Sequence, residues 1–154
     1  MSNLSFAAQI SDWTSQEKER IEAVFQTASE AVFNEMTDPG GRVPRVTGNL
    51  ARSIVASVNE MPPIRPEKID YPDTEQVSIG VIQGAELGQT VWIGFQAAYS
   101  ARVNYGFVGQ DSLGRLYNQA GRAFIEAAQQ RWPQIVAEAE AKVRGRSEGG
   151  SPQA

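Results

Sequence analysis

The run QVSIGVIQGAELGQTVWIGFQ, residues 76–96, decides how the rest of the chain is put together. Its two ends, QVSIGVIQ and TVWIGFQ, are rich in β-branched and aromatic residues and flank GAELGQ, a glycine-containing link of hairpin length. Val77, Ile79 and Val81 alternate with Ser78 and Gly80, and Val91, Ile93 and Phe95 alternate with Trp92 and Gly94. Alternation of period two places one set of side chains on each face of a half-buried sheet. The reading is an antiparallel hairpin at the centre of the domain.

Upstream of it, MPPIRPEKIDYPD, residues 61–73, holds four prolines and reads as an extended connector. Before the connector, Ser53 to Asn59 reads as a strand through Ile54, Val55, Ala56 and Val58. TDPGGRVP, residues 37–44, is a loop, because proline cannot continue a helix and paired glycines open left-handed conformations. After it, Thr47 is placed to cap a short helical turn holding Leu50 and Ala51. The first long helix is expected to start at a capping box formed by Thr14 and Glu17. Ile21, Val24, Phe25, Ala28, Ala31 and Val32 carry its apolar stripe, and it ends near Met36. Residues 5 to 10 read as a short edge strand.

Downstream, Ala120, Phe124, Ala128, Ile135, Ala139 and Val143 share one helical face, with Trp132 in the same register as core. The phase survives Pro133, so one kinked long helix is expected, preceded by a short one. GRSEGGSPQA, residues 145–154, has the composition of a flexible tail. The expected fold is α+β: a small antiparallel sheet packed by two long helices, with a short helix after the first loop, in one domain spanning residues 4–144.

Composition narrows the chemistry. A chain of 154 residues can bury about 70% of its unfolded surface in one core. Its 14 basic and 18 acidic side chains give a formal charge of −4, which disfavours wrapping a phosphate backbone but not DNA passing close by. There is no cysteine and no histidine. Structural zinc of the usual kind, thiol nucleophiles and Ser-His-Asp triads are therefore excluded, and no cofactor is expected. MSNLSFAAQISDW has no basic region ahead of an apolar core, and no run is long enough to cross a bilayer, so neither secretion nor a membrane partner is expected.

Candidate sites each have a plain alternative. Gly40, Gly41 and Arg42 lack the Gly-Lys-Ser/Thr and the strand–loop–helix setting of a phosphate loop, and read as a helix stop. Asp70, Asp73 and Glu75 could serve a hydrolase or a hard cation, yet they sit among prolines without a calcium-loop glycine. Lys18 and Lys68 lie in polar runs, poor settings for a nucleophile. YSARVNYGFVG, residues 99–109, mixes aromatics, glycines and polar groups, and reads equally as core or as an interface loop.

A family resemblance then links these pieces. Pro44, Thr47, Gly48, Asn49, Leu50, Ser53 and Ile54 resemble the Pro-x-x-Thr-Gly-x-Leu-x-x-Ser-Ile signature of the tail-completion, or head-to-tail neck, proteins of long-tailed bacteriophages, also described as minor tail components. YSARVNYG looks like that family's Tyr-Ala-x-x-Val-Glu-x-Gly, and RAFIEAAQQ like its Phe-Leu-x-x-Ala helix start, in the same order. The matches span most of residues 18–143. The chain departs at Val46, where the family has an acid, at Ser100 in place of alanine and at Asn104 in place of glutamate.

The resemblance implies a structural virion protein without enzymatic activity. It would form a homo-oligomeric ring, expected to be a hexamer, that joins capsid connector to tail after assembly in the host cytoplasm. Neck and tail-tube proteins would be its partners, with DNA only passing through the channel. A ring subunit needs two complementary surfaces. Loops 37–49 and 99–116 are the candidates, with Arg42, Arg45 and Arg52 projecting from the first region, and Tyr99, Arg102, Asn104, Tyr105 and Phe107 from the second. Pro44, Thr47, Gly48, Leu50 and Ile54, with Gly106 and Phe124, are expected to mark the fold. A tail terminator is a related reading; a small carboxylate hydrolase and a non-viral regulatory binding module are the competing classes.

Overall fold

The computed structural model describes residues 5–149. Helix α1 (Phe6–Thr37) leads into a loop and the short α2 (Asn49–Arg52), then β1 (Ile54–Ser57) and the proline-rich connector. Helix α3 (Glu75–Gln83) and β2 (Trp92–Phe95) follow. A short α4 (Ser100–Tyr105), the strands β3 (Gly106–Gln110) and β4 (Leu116–Ala120), and α5 (Phe124–Glu148) complete the order. The class is α+β, with two long helices and two separate two-stranded antiparallel sheets rather than one.

The central hairpin does not form, because its first half is helix. In α3 the buried residues are Ser78 and Ile82, four apart, while Val77 faces solvent. Alternation and helical spacing overlap in so short a run, and here the flanking sequence decides. Asp73 Oδ1 accepts the amide of Glu75 at 3.0 Å, an N-terminal stop for the helix just after Pro72. With α3 helical, β2 pairs antiparallel with β1 instead, Ile54 opposite Phe95 and Ser57 opposite Trp92. Ser78 Oγ accepts the amide of Ala56 at 3.1 Å, so the helix satisfies a strand donor that has no sheet neighbour.

Helix α1 also begins earlier than the Thr14 box predicts. Ser5 caps it, its side chain accepting the amide of Ala8 at 3.3 Å. Thr14 is inside the helix and returns its hydroxyl to the Ile10 carbonyl at 2.8 Å. Residues 6 to 10 are accordingly helix, not an edge strand.

Helices α1 and α5 run antiparallel. Arg131 meets Glu35 at 3.2 Å, Ala28 packs with Ile135 and Ala139, and Phe33 and Met36 share a cluster with Phe124 and Ala128. Alanines at the crossing let the helix backbones approach. Phe124, Ala128, Ile135, Ala139 and Val143 are all buried, as the helical spacing predicts, but Ala120 lies in β4 and Trp132 is 42% exposed on the outer face. Pro133 sits inside α5 without ending it. The helix runs on through Glu148, so the first residues of the expected tail are helical; residues 150–154 lie outside the described residues.

The main core joins Phe33, Leu50, Ile54, Ile82, Phe95 and Phe124, with the last two rings edge to face at 5.1 Å. Each such side chain contributes about 1.5–3 kcal/mol by burial. The connector is fastened to this core through Tyr71. Its hydroxyl is shared between the Arg65 and Gln96 carbonyls at 2.9 and 3.1 Å, and its amide is held by Asn49 Oδ1 at 2.9 Å. Burial pushes the Tyr71 hydroxyl above its ordinary pKa of 10.0, with the neighbouring Tyr99 and Glu67 charges adding to the effect.

Candidate assembly surface

The stretch after β2 builds an arm. Strands β3 and β4 pair from Gly106 opposite Ala120 to Gln110 opposite Leu116, and every residue of β4 is exposed. A two-stranded hairpin is marginal alone in water, so this one needs other support. The support comes from its two ends.

At the base, Gly106 has φ +88°, and a Cβ there would stand 2.6 Å from the Gln119 carbonyl oxygen. A Cβ on Gly121 would stand 2.5 Å from the Asn104 carbonyl oxygen. The two backbones thus cross at a distance that only glycines allow. The Val103 and Asn104 carbonyls accept the amides of Arg122 and Ala123, both at 2.9 Å. Ala123, at φ 49°, offers α5 no side-chain cap, and Asn104 supplies one from outside the helix. Its Oδ1 accepts the Ile125 amide at 3.1 Å, and its Nδ2 donates to both carboxylate oxygens of Glu126, at 2.9 and 3.1 Å.

Asn104 is therefore a buried joint, 2% exposed, and not a partner-facing residue. Its role explains why a polar residue is buried in the last turn of α4. The exposed positions that remain from the sequence candidates are Tyr99, Arg102 and Tyr105, while Phe107 is half-buried beneath Arg102, whose guanidinium lies 4.3 Å from the ring centroid. Phe107 also meets Tyr117 across the strands at 6.2 Å.

At the tip, Asp111 ties the turn together. Its Oδ1 accepts the Leu113 and Arg115 amides, both at 2.9 Å, and its Oδ2 takes Arg115 Nε at 2.6 Å and the Tyr117 hydroxyl at 3.3 Å. The Arg115 amide first, then the Arg115 side chain, the Leu113 amide and the Tyr117 hydroxyl, hold the Asp111 carboxyl below its ordinary value of 3.8, against a smaller opposing effect of desolvation. The tip is ordered, yet it presents Leu113 and Leu116 to water at 75% and 80% exposure. Leucines displayed on a turn tied by these bonds offer apolar surface to a contact.

The arginines of the first loop behave differently. The Arg45 guanidinium donates to the Thr37 carbonyl at the end of α1, Arg52 Nε to the Tyr71 carbonyl at 3.0 Å, and Arg42 to the Arg122 carbonyl at 3.4 Å. All three tie loops of this chain to one another, although Arg42 and Arg45 are also exposed. The signature residues around them are structural. Leu50 and Ile54 are buried and Pro44 is half-buried; Gly48, at φ +74°, is the N-cap residue of α2 in place of the expected Thr47, whose Oγ1 accepts the Asn49 amide at 3.3 Å from one residue ahead of the cap.

A second apolar surface lies on α1. Phe6, Ile10 and Trp13, at helical spacing, are exposed, and Phe6 and Trp13 are 78% and 61% open to water. Nothing among the described residues covers them. Elsewhere, Asp70 and Asp73 are exposed on the connector, and the Asp73 carboxylate accepts the Glu75 amide just ahead of α3, whose N-cap residue is Thr74. An open groove of about 1070 Å³ beside α1, α3 and α5 is lined by interleaved charges, among them Glu30, Glu35, Glu138, Arg131 and Lys142. Among the described residues, no group of three or more carboxylates is placed to hold a metal ion, and no helix is long and apolar enough to cross a membrane. Comparison with protein-family models, with curated proteins and with solved structures found no match to this chain.

Proposed function

We propose that this chain is a structural subunit of a tailed-phage virion, a tail-completion, terminator or neck protein that assembles as a ring, expected to be hexameric, between capsid connector and tail. The reading rests on the order of the three resembling motifs. It is supported by where they fall: the first at the α2–β1 turn, the second on α4 and the base of the arm, the third at the start of α5. The second and third meet at the joint that sets the arm against the body, and the first anchors the loop after α1 in the core. The observation that carries the assembly reading is the arm itself, fixed at its base and tip while showing Leu113 and Leu116 to solvent.

Under this reading neck and tail-tube proteins are the partners, DNA passes through the opening without being gripped, and the site of action is the head–tail junction of the virion. Mass photometry and negative-stain imaging of the purified chain, alone and with tail tubes, test it. Closed rings under either condition are expected. A monomer under both would sink the proposal.

A further inference from the structure

We infer that two copies of this chain join through their arms, β4 of one pairing antiparallel with β4 of the other around Asn118. The inference goes beyond the ring reading and does not depend on it. It starts from the backbone of the arm. The Asp111 amide donates to the Arg115 carbonyl at 3.1 Å, which makes these two a hydrogen-bonded pair of the ribbon. Bonded and non-bonded pairs alternate along an antiparallel ladder, so Gly109 with Tyr117 and Phe107 with Gln119 are bonded pairs too. The amides and carbonyls of Leu116, Asn118 and Ala120 therefore point away from β3. Among the described residues no group outside the ribbon accepts those three amides, and all three residues are exposed. An unpaired row of this kind is the template for one further strand.

The β4 edge itself selects a second copy as that strand. The opposite edge of the arm is closed at its base, where the outward amide of Gly106 donates to the Arg102 carbonyl of α4. Strand β4 has no such cover, and Leu116-Tyr117-Asn118-Gln119-Ala120 contains no charged residue and no proline, the devices that keep edge strands from pairing. Its sequence also matches itself. With Asn118 of one copy opposite Asn118 of the other, Leu116 faces Ala120 and Tyr117 faces Gln119, a larger side chain beside a smaller one, with no like charges opposed. The three outward residues of each strand then exchange about six backbone hydrogen bonds. Two ribbons, each marginal alone, become one four-stranded sheet. The contact is isologous and consumes both β4 edges, so it closes at two copies.

The absence of native cysteine gives a clean test. Asn118→Cys, treated with a short bismaleimide, is expected to give a covalent dimer. Leu113→Cys, also exposed on the arm, should not, because antiparallel pairing around residue 118 holds the two tips about 30 Å apart. Sedimentation velocity over a concentration series reads the dimer directly. Asn118→Lys, at an exposed position, should raise the dimer Kd roughly tenfold or more by setting two lysines face to face, with the thermal midpoint of the dilute chain unmoved. Asn118→Asp alone should act likewise, and an equimolar mixture of the two variants should recover dimers as the heterodimer.

Recovery in the mixture sets residue 118 of one copy against residue 118 of the other, which a contact through the tip leucines would not do. A wild-type chain that stays monomeric throughout the series, or dimers that neither variant weakens, overturns the arm pairing. The ring reading stands or falls separately. Dimers linked at 118 that never close into rings, alone or with tail tubes, uphold the pairing and remove the ring. Rings that give no 118-to-118 link keep the ring and overturn the pairing.

Discussion

The molecule contains two antiparallel ribbons of nearly equal size, and they are stable for opposite reasons. The β1–β2 ribbon is buried against Phe33, Ile82 and Phe124, and a helix supports it through the Ser78 hydroxyl, which accepts the Ala56 amide. The β3–β4 ribbon buries little, and is held by glycine crossings at one end and an aspartate-centred turn at the other. One ribbon is fixed by solvent exclusion, the other by local geometry and polar bonds. Solvent exclusion needs no partner to be complete; a ribbon fixed by geometry leaves its apolar side chains available.

The contrast can be broken most severely from the buried side. Phe33→Ala should cost about 4 kcal/mol in urea unfolding, the range for emptying a buried ring position, and should loosen β1–β2 and α5 together. Gly106→Ala, which forces a Cβ into the Gln119 carbonyl at positive φ, should cost about 2–3 kcal/mol. Its hydrogen-exchange signature should be confined to the arm and the first turn of α5; loss of protection across β1–β2 would contradict the division. Ser78→Ala, leaving the buried Ala56 amide unpaired, should cost about 1–2 kcal/mol and leave the arm unaffected.

The smallest effect is the pH response, which should split by ribbon. The Tyr71 pKa is raised by folding, so its contribution is complete below pH 10.0 and is lost as pH rises from there through the folded pKa, loosening the connector from β2. The Asp111 pKa is lowered by folding, so its contribution is complete above pH 3.8 and is lost as pH falls through the folded value, opening the tip. Tyrosine ring signals followed by NMR at both extremes check it: Tyr117 should respond at low pH and Tyr71 at high pH.

The parts of the fold legible in the sequence were those with enough length to show a period. Phe124, Ala128, Ile135, Ala139 and Val143 trace α5, and Val24, Ala28, Ala31 and Val32 trace the middle of α1. The run at 77–82 is too short for period alone, and its β-branched residues favour strand intrinsically; tertiary packing of Ser78 and Ile82 overrode that preference. The cue that could have decided it was Pro72-Asp73-Thr74-Glu75, a helix-start pattern. The β3–β4 arm was illegible because both its faces meet water, which removes the alternation by which strands are recognised. Asn104 was misplaced on a surface because nothing local shows that its amide reaches across 21 residues to the Ile125 backbone. The arginines at 42, 45 and 52 similarly found carbonyl partners that only the folded chain brings near.

Asn104 also gives the arm a mechanical character. Both strands enter the body through one clamp, where Val103 and Asn104 hold Arg122 and Ala123, and the same asparagine grips the first turn of α5. A sideways load at the tip is thus delivered to a stiff rod of 25 residues laid along α1, rather than lost in a swivel. The far end of that rod lies toward the part of α1 that carries Phe6 and Trp13. A load taken at the arm would therefore travel along the α1–α5 pair toward that end of the molecule.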